Sequence, residues 1–191
     1  NEAEFMNFHD ETQWALQKFG VGQPVRRTED PILVRGQGRY TDDINLSGQA
    51  YAVMVRSQHA HGIIRGIDAT AARSMPGVLA VLTGADLAAA GYGGLKCFPP
   101  LKNRDGTPMK KPLRPALPTD KVRFVGDPVA CVVAETVAQA KDAAEAVVVD
   151  IDPLPAVTKA SEADKPGAPQ LYDDVPGNVA LDFLYGDPQA V

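Results

Sequence analysis

The sequence predicts a mixed α/β domain of the α+β kind, and three observations carry that prediction. Runs of strand length rich in β-branched residues recur from Ala50 onward, in AYAVMVRS, GIIRGID, VLAVL, PVACVVAE and VVVDIDP. Two alanine-rich stretches, 69–75 and 136–147, carry helical spacing instead. The two kinds of segment follow one another without a regular strand-helix-strand alternation, so a doubly wound parallel sheet is not expected. With 45% hydrophobic residues in 191, the chain can bury a core.

Residues 1–19 read as a polar extension. Phe5, Phe8, Trp14, Leu16 and Phe19 give it apolar faces that suit either a short docking helix or a disordered tail. The folded domain is expected over 20–191, opening with GVGQPVRRTEDPILVRGQGRY as short extended pieces punctuated by proline and glycine. AYAVMVRS and GIIRGID are two half-buried strands joined by QHAH. ATAARSMPGVLAVLTG predicts a short helix ended by Pro76-Gly77 and then a strand, and ADLAAAG adds a helical turn or two stopped at Gly91.

From 91 to 120 the chain becomes a long loop rich in proline and glycine. Its six Lys/Arg face only Asp105 and Asp120, so it is locally basic in a chain of net charge −5. A loop of this length is either functional or a variable surface feature. KVRFVGDPVACVVAE then predicts a strand, a Gly-Asp-Pro turn and a strand buried on both faces, with Cys131 as a small core residue. Thr136 caps the helix TVAQAKDAAEAV, whose alanine stripe allows close packing on a sheet. VVVDIDPLPAV is a further strand, and APQLYDD and NVALDFLYGD are expected as two more short ones.

Composition excludes several classes. A pI near 5.2 gives no global basic field, so nucleic acid is not an expected partner. No apolar run approaches the roughly 18 residues of a spanning helix, and NEAEFMNFHDETQW lacks the regions of a signal peptide. Two cysteines, Cys97 and Cys131, make no disulfide framework or zinc ribbon, so a reduced cytoplasmic setting is expected. The chain does not begin with Met, as expected of a piece of a longer protein.

The candidate chemistry is thin. His59 and His61 in RSQHAHGII stand one residue apart, and on an extended strand they would share a face with Cα atoms roughly 6.6 Å apart. Two ligands fall short of the three or four that zinc or non-haem iron needs, and the third histidine, His9, lies in the extension. GQGRY fails as a dinucleotide fingerprint because Thr41 stands where the third glycine belongs. Asp42 and Asp43 are adjacent, which suits a turn with Asx-type hydrogen bonds better than an acid/base pair. Gly126-Asp127-Pro128 lacks the Lys and Ser/Thr of a phosphate-binding loop and reads as a turn; Ser57 and Ser161 have no nucleophile-elbow context, and Cys97 has no histidine nearby.

Taken as blocks, GQPVRRTEDPILVRGQGRYTDDINLSG, VRSQHAHGIIRGID, MPGVLAVLTGADL, DKVRFVGDPVACVVAETVAQAKDAAEAVVVDIDPLPAV and PGNVALDF resemble the N-terminal α/β hammerhead domain of the molybdenum-binding large subunit of the xanthine dehydrogenase and aldehyde oxidase family. The nearest likeness is to the bacterial carbon monoxide dehydrogenase-like branch. The blocks occur in family order over roughly residues 20 to 185, with Gln37 where arginine is commoner and Asp127 where Glu or Gln often stands.

The resemblance implies a hammerhead with mixed sheets and two main helices. It also implies a parent enzyme that hydroxylates an aldehyde or N-heterocycle with molybdopterin cytosine dinucleotide and passes electrons through 2Fe-2S clusters to FAD on partner subunits or domains. The family's residues around molybdenum belong to the domains that follow, so no catalytic, cofactor-binding or metal-ligating residue is carried over and this chain alone is expected to be inactive. What carries over is structural: Arg39, Tyr40, Asp42, Asp43, His59, His61, Gly126 and Asp127 are expected as turn residues or as contacts with the remaining molybdenum domains and the iron-sulfur partner. The competing expectation is a non-catalytic binding or assembly module that shares only the fold. A stop codon after Val191 would favour that module, and downstream coding sequence for a molybdenum domain would favour the enzyme.

Overall fold

A computed structural model describes residues 27–186. The segment 1–19, with His9, lies outside the described residues. The chain divides after Gly48 into two compact units.

In the first unit, Asp30–Leu33 form a helical turn, α1, where extended chain is expected. Asp30 and Pro31 explain the difference. Proline fixes a helical φ at a position whose N–H would have no partner, and an acid suits the first turn. Gly36, at φ 68°, ends the turn. Thr41–Asp43 then make one 3₁₀ turn, in which the Asp43 carboxylate accepts the Tyr40 N–H at 2.8 Å.

Among the described residues the second unit holds six strands and three short α-helices: β1 (Tyr51–Arg56), β2 (Gly62–Asp68), α2 (Thr70–Arg73), β3 (Val78–Thr83), α3 (Gly84–Ala89), β4 (Lys121–Val122), β5 (Pro128–Ala134), α4 (Val137–Glu145) and β6 (Val148–Pro153). They form two antiparallel three-stranded sheets, in the orders β1-β5-β3 and β4-β2-β6. The mixed α/β expectation holds. β1 and β2 follow one another in sequence yet enter different sheets.

The core lies between the first sheet and its helices. Val81, Ala130 and Val132 meet Ala69, Ala72, Ala143 and Val147 in one apolar cluster. Alanine at 140 and 143, both fully buried, keeps α4 slim enough to lie close on the sheet. Thr136 caps α4 by accepting the Gln139 N–H, and Thr83 caps α3 in a box with Asp86. Between α2 and β3, Gly77 turns at φ 77°, a left-handed conformation that other side chains rarely adopt.

Three expectations change. β5 is not buried on both faces along its length: Val129, Ala130, Val132 and Ala134 are buried, while Cys131 and Val133 are half-exposed on the side away from the helices. Cys131 is therefore not a core residue. Of KVRFV, only Lys121–Val122 is strand, and it joins the second sheet, not the sheet of β5.

APQLYDD and NVALDFLYGD are not strands either; 168–186 forms turns and a 3₁₀ turn at Pro176–Asn178. Asn178, at φ 57°, accepts the Leu171 N–H and donates to the Ala163 and Pro169 carbonyls, which uses up backbone groups a ladder would need. Further on, the chain binds the 91–120 loop: Lys110 N–H donates to Ala180, Arg104 N–H to Asp182, and the Arg104 guanidinium pairs with the Asp182 carboxylate at 2.7 Å. The loop also closes on itself at Leu95 and Arg114 and at Lys102 and Pro108.

Candidate functional site

The residues singled out in sequence separate into two groups. Arg39, Tyr40, Asp42 and Asp43 are all exposed and lie in the first unit. His59, His61, Gly126 and Asp127 lie in the second. There the connection from β1 to β2, which holds both histidines, meets Gly126 and Asp127 of the turn from β4 to β5 through Ser57.

That crossing is built from backbone hydrogen bonds. Ser57 N–H donates to Asp127 O at 2.9 Å, Gly126 N–H to Ser57 O at 2.8 Å, and the Arg56 guanidinium to Gly126 O at 2.9 Å. Gly126 sits at φ 87°, which a β-carbon would oppose, so the tight turn needs glycine. Buried Asp127 accepts the Arg123 N–H through Oδ2 at 3.0 Å and so closes the turn from within. Gly126-Asp127-Pro128 thus leads from a tight turn into β5, and its aspartate acts as a buried acceptor.

The two histidines do not share a face. The stretch 57–61 lies between strands, and His59 is exposed while His61 is only 5% exposed. His61 is turned inward, its ring buried against the segment that follows β6. Its Nδ1 lies 2.9 Å from the Pro155 carbonyl, so Nδ1 carries the donated proton, and Nε2 is buried without a partner. Neither nitrogen is open to a metal. Ser57 Oγ is engaged with the His59 backbone and not with an imidazole, so no nucleophile and base are paired here.

Arg123 is the residue that sequence reasoning missed. It stacks on Tyr172 at 4.6 Å, donates to the Leu171 and Lys121 carbonyls and pairs with Asp120 at 3.0 Å. Burial, the largest single influence, acts to raise the Asp120 carboxyl, but the Arg123 hydrogen bond, the backbone N–H bonds of Lys121 and Asp120 and the Arg123 charge together outweigh it and hold the group below the usual carboxylate range. Leu171 lies 48 positions from Arg123 in sequence, and no short motif announces the pairing. Beside it, Arg114 stacks on Phe124 at 5.2 Å. Arg114, Pro118, Arg123, Phe124, Asp127 and Tyr172 line a depression of about 10 Å³, room for one water.

The described residues present no ligand set for an iron-sulfur group. Among the described residues no three His, Cys, Asp or Glu side chains cluster in a ligating arrangement. Two cysteines in the whole sequence fall short of the four thiolates of a 2Fe-2S cluster, and they stand apart, Cys97 exposed in the loop and Cys131 on β5. No helix among the described residues is long and apolar enough to cross a membrane. The crossing is a clamp that ties two sheets and the 171–178 segment together.

The scaffold is a two-sheet α/β domain, and comparison with known proteins gives its family. Residues 35–155 match the aldehyde oxidase and xanthine dehydrogenase a/b hammerhead domain, and the chain belongs to this family. It is 38% identical over 156 residues to the carbon monoxide dehydrogenase large chain of Afipia carboxidovorans, covering 82% of this chain and 18% of that one. It is 38% identical over 161 residues to the nicotine 6-hydroxylase large subunit of Paenarthrobacter nicotinovorans, covering 84% and 19%. Among solved structures, quinoline 2-oxidoreductase from Pseudomonas putida 86 superposes with a TM-score of 0.70 at 37% identity, over 86% of this chain and 20% of that one. The chain spans about a fifth of the length of these relatives.

Proposed function

We propose that the chain is the N-terminal structural domain of a molybdopterin-dependent oxidoreductase large subunit and holds none of the cofactor itself. The complete cytoplasmic enzyme hydroxylates an aldehyde or an N-heterocycle. Molybdopterin cytosine dinucleotide, held in the domains that follow, supplies the redox chemistry, and electrons leave through 2Fe-2S clusters to FAD or another acceptor on partner subunits or domains. This chain braces those domains. The crossing at Ser57, Arg123 and Asp127 links the ends of the two sheets, His61 ties β2 to the segment after β6, and Arg39, Tyr40, Asp42, Asp43 and His59 offer exposed polar contacts.

The observation that carries this reading is the hammerhead match over 35–155 together with relatives about five times longer. One solved relative is described as a Cu,Mo-CO dehydrogenase, and two others are named for nicotine and quinoline, both N-heterocyclic compounds. Purifying the complete polypeptide with the subunits encoded beside it, and quantifying molybdenum and iron, tests the proposal. Both metals are expected in stoichiometric amounts; absence of both overturns it.

A further inference from the structure

The sheet β1-β5-β3 is covered on one face by α2 and α4 through Val81, Ala130 and Val132. Its strand register defines the other face, because side chains alternate along each strand. Ala52, Val133 and Ala80 are paired partners across the three strands and form one rung; Met54, Cys131 and Leu82 form the next. None of the six is buried, and Met54 retains 43% and Leu82 36% of its surface.

A sheet face that meets water carries polar residues at its outward positions. The second sheet of this chain does so, with Arg65, Asp68, Asp150 and Asp152 exposed and Arg65 paired to Asp152 at 2.6 Å. The first sheet has no charged residue in either rung. Two sheets in one chain thus differ in what their open faces are built to meet.

We propose that the open face of β1-β5-β3 is the seat on which the rest of the large-subunit polypeptide packs, with Met54, Cys131, Val133 and Leu82 at its centre. This rests on the reading given under Proposed function. The occupant is the same polypeptide for two reasons. Relatives continue for about four times the length matched here, since the match covers 18% to 20% of their chains. A covalently tethered element is also held at high effective concentration, so a small apolar seat suffices. A second copy is a poor occupant, because a stable dimer needs about 800 Å² from each partner, more than six side chains of this size, three of them Ala or Cys at the sheet surface, can offer.

Native-state alkylation of wild-type Cys131 by N-ethylmaleimide, followed by peptide mass spectrometry, tests the seat. Cys131 is expected to react at least tenfold more slowly in the complete large subunit than in the 191-residue chain. Equal rates overturn the proposal. As a second measurement, the double substitution Met54→Lys and Leu82→Lys is expected to leave the unfolding midpoint of the 191-residue chain unchanged and to lower that of the complete subunit; an unchanged midpoint in the complete subunit overturns the proposal. A 191-residue chain that elutes as a dimer, and becomes monomeric with the double substitution, overturns it in favour of a second copy. Alkylation needs no cofactor, so a parent without molybdenum would remove the functional reading while Cys131 still decides the seat.

Discussion

Around the sheet β1-β5-β3 the contacts are small and apolar: Ala72, Ala130, Ala143, Val81 and Val132 meet in one buried cluster. Around β4-β2-β6 and the 171–178 segment, side chains instead reach backbone carbonyls and amides: His61 to Pro155, Arg123 to Leu171, Asn178 to Ala163 and Pro169. The first region is held by area removed from water and tolerates no added polarity. The second is held by directional bonds, each of which leaves a stranded group when one partner is lost. The two regions should therefore break in different ways.

The largest effect belongs to the apolar side. Val132 is fully buried at the centre of the cluster, and Val132→Asp is expected to abolish folding, while Val132→Ala costs about 2 kcal/mol in urea denaturation. A loss under about 0.5 kcal/mol for Val132→Ala would place the weight elsewhere.

On the polar side, Asn178→Ala removes three hydrogen bonds and leaves a non-glycine residue at φ 57°, for an expected loss of about 2 to 3 kcal/mol. Asn178→Gly keeps the backbone free of strain and should lose less, which separates the two contributions. His61→Ala is expected to cost about 1 to 2 kcal/mol because it empties a buried site and frees the Pro155 carbonyl, whereas exposed His59→Ala stays within about 0.5 kcal/mol. Equal effects at the two histidines would contradict the separation described above.

Smaller again is the cap of α4, where Thr136→Ala should cost about 1 kcal/mol by thermal melt. The pH response is smallest. Hydrogen bonds from the Thr83 hydroxyl and backbone lower the Asp86 carboxyl, and Asp120 is lowered by Arg123 against its burial. A depressed carboxyl stabilises the fold above its unfolded value of 3.8 and ceases to do so as pH falls through the lower folded value. Stability from these groups is therefore flat from neutral pH to roughly 5 and declines below roughly 4, and Asp86→Asn with Asp120→Asn should flatten that acid limb in unfolding curves measured against pH.

The same contrast explains what is legible in the sequence. β1, β3, β5, β6 and α4 are announced by periodicity and by local signals such as Thr136, since the groups that make them are neighbours in the chain. The helical turn at Asp30–Leu33 escapes sequence reading because proline reads as a breaker before it reads as a first-turn residue. The exposed side of β5 escapes it because PVACVVA is apolar at nearly every position, and such a run does not say which face is covered. At the crossing, the family blocks mark His61 and Asp127 without their roles. Arg56 meets Gly126 across 70 positions and His61 meets Pro155 across 94, and no local pattern encodes such partners.

The strand orders carry a consequence for synthesis. Tyr51 pairs with Ala134, and Gly62 with Val122 and Pro153, so neither of the first two strands has a partner when it leaves the ribosome. At about 5 to 20 residues per second, both wait on the order of 4 to 20 seconds with unpaired edges. During that interval Met54 and Val55, Ile63 and Ile64 are open to any other extended chain nearby, and nascent-chain chaperones have most to protect before residue 153 has emerged.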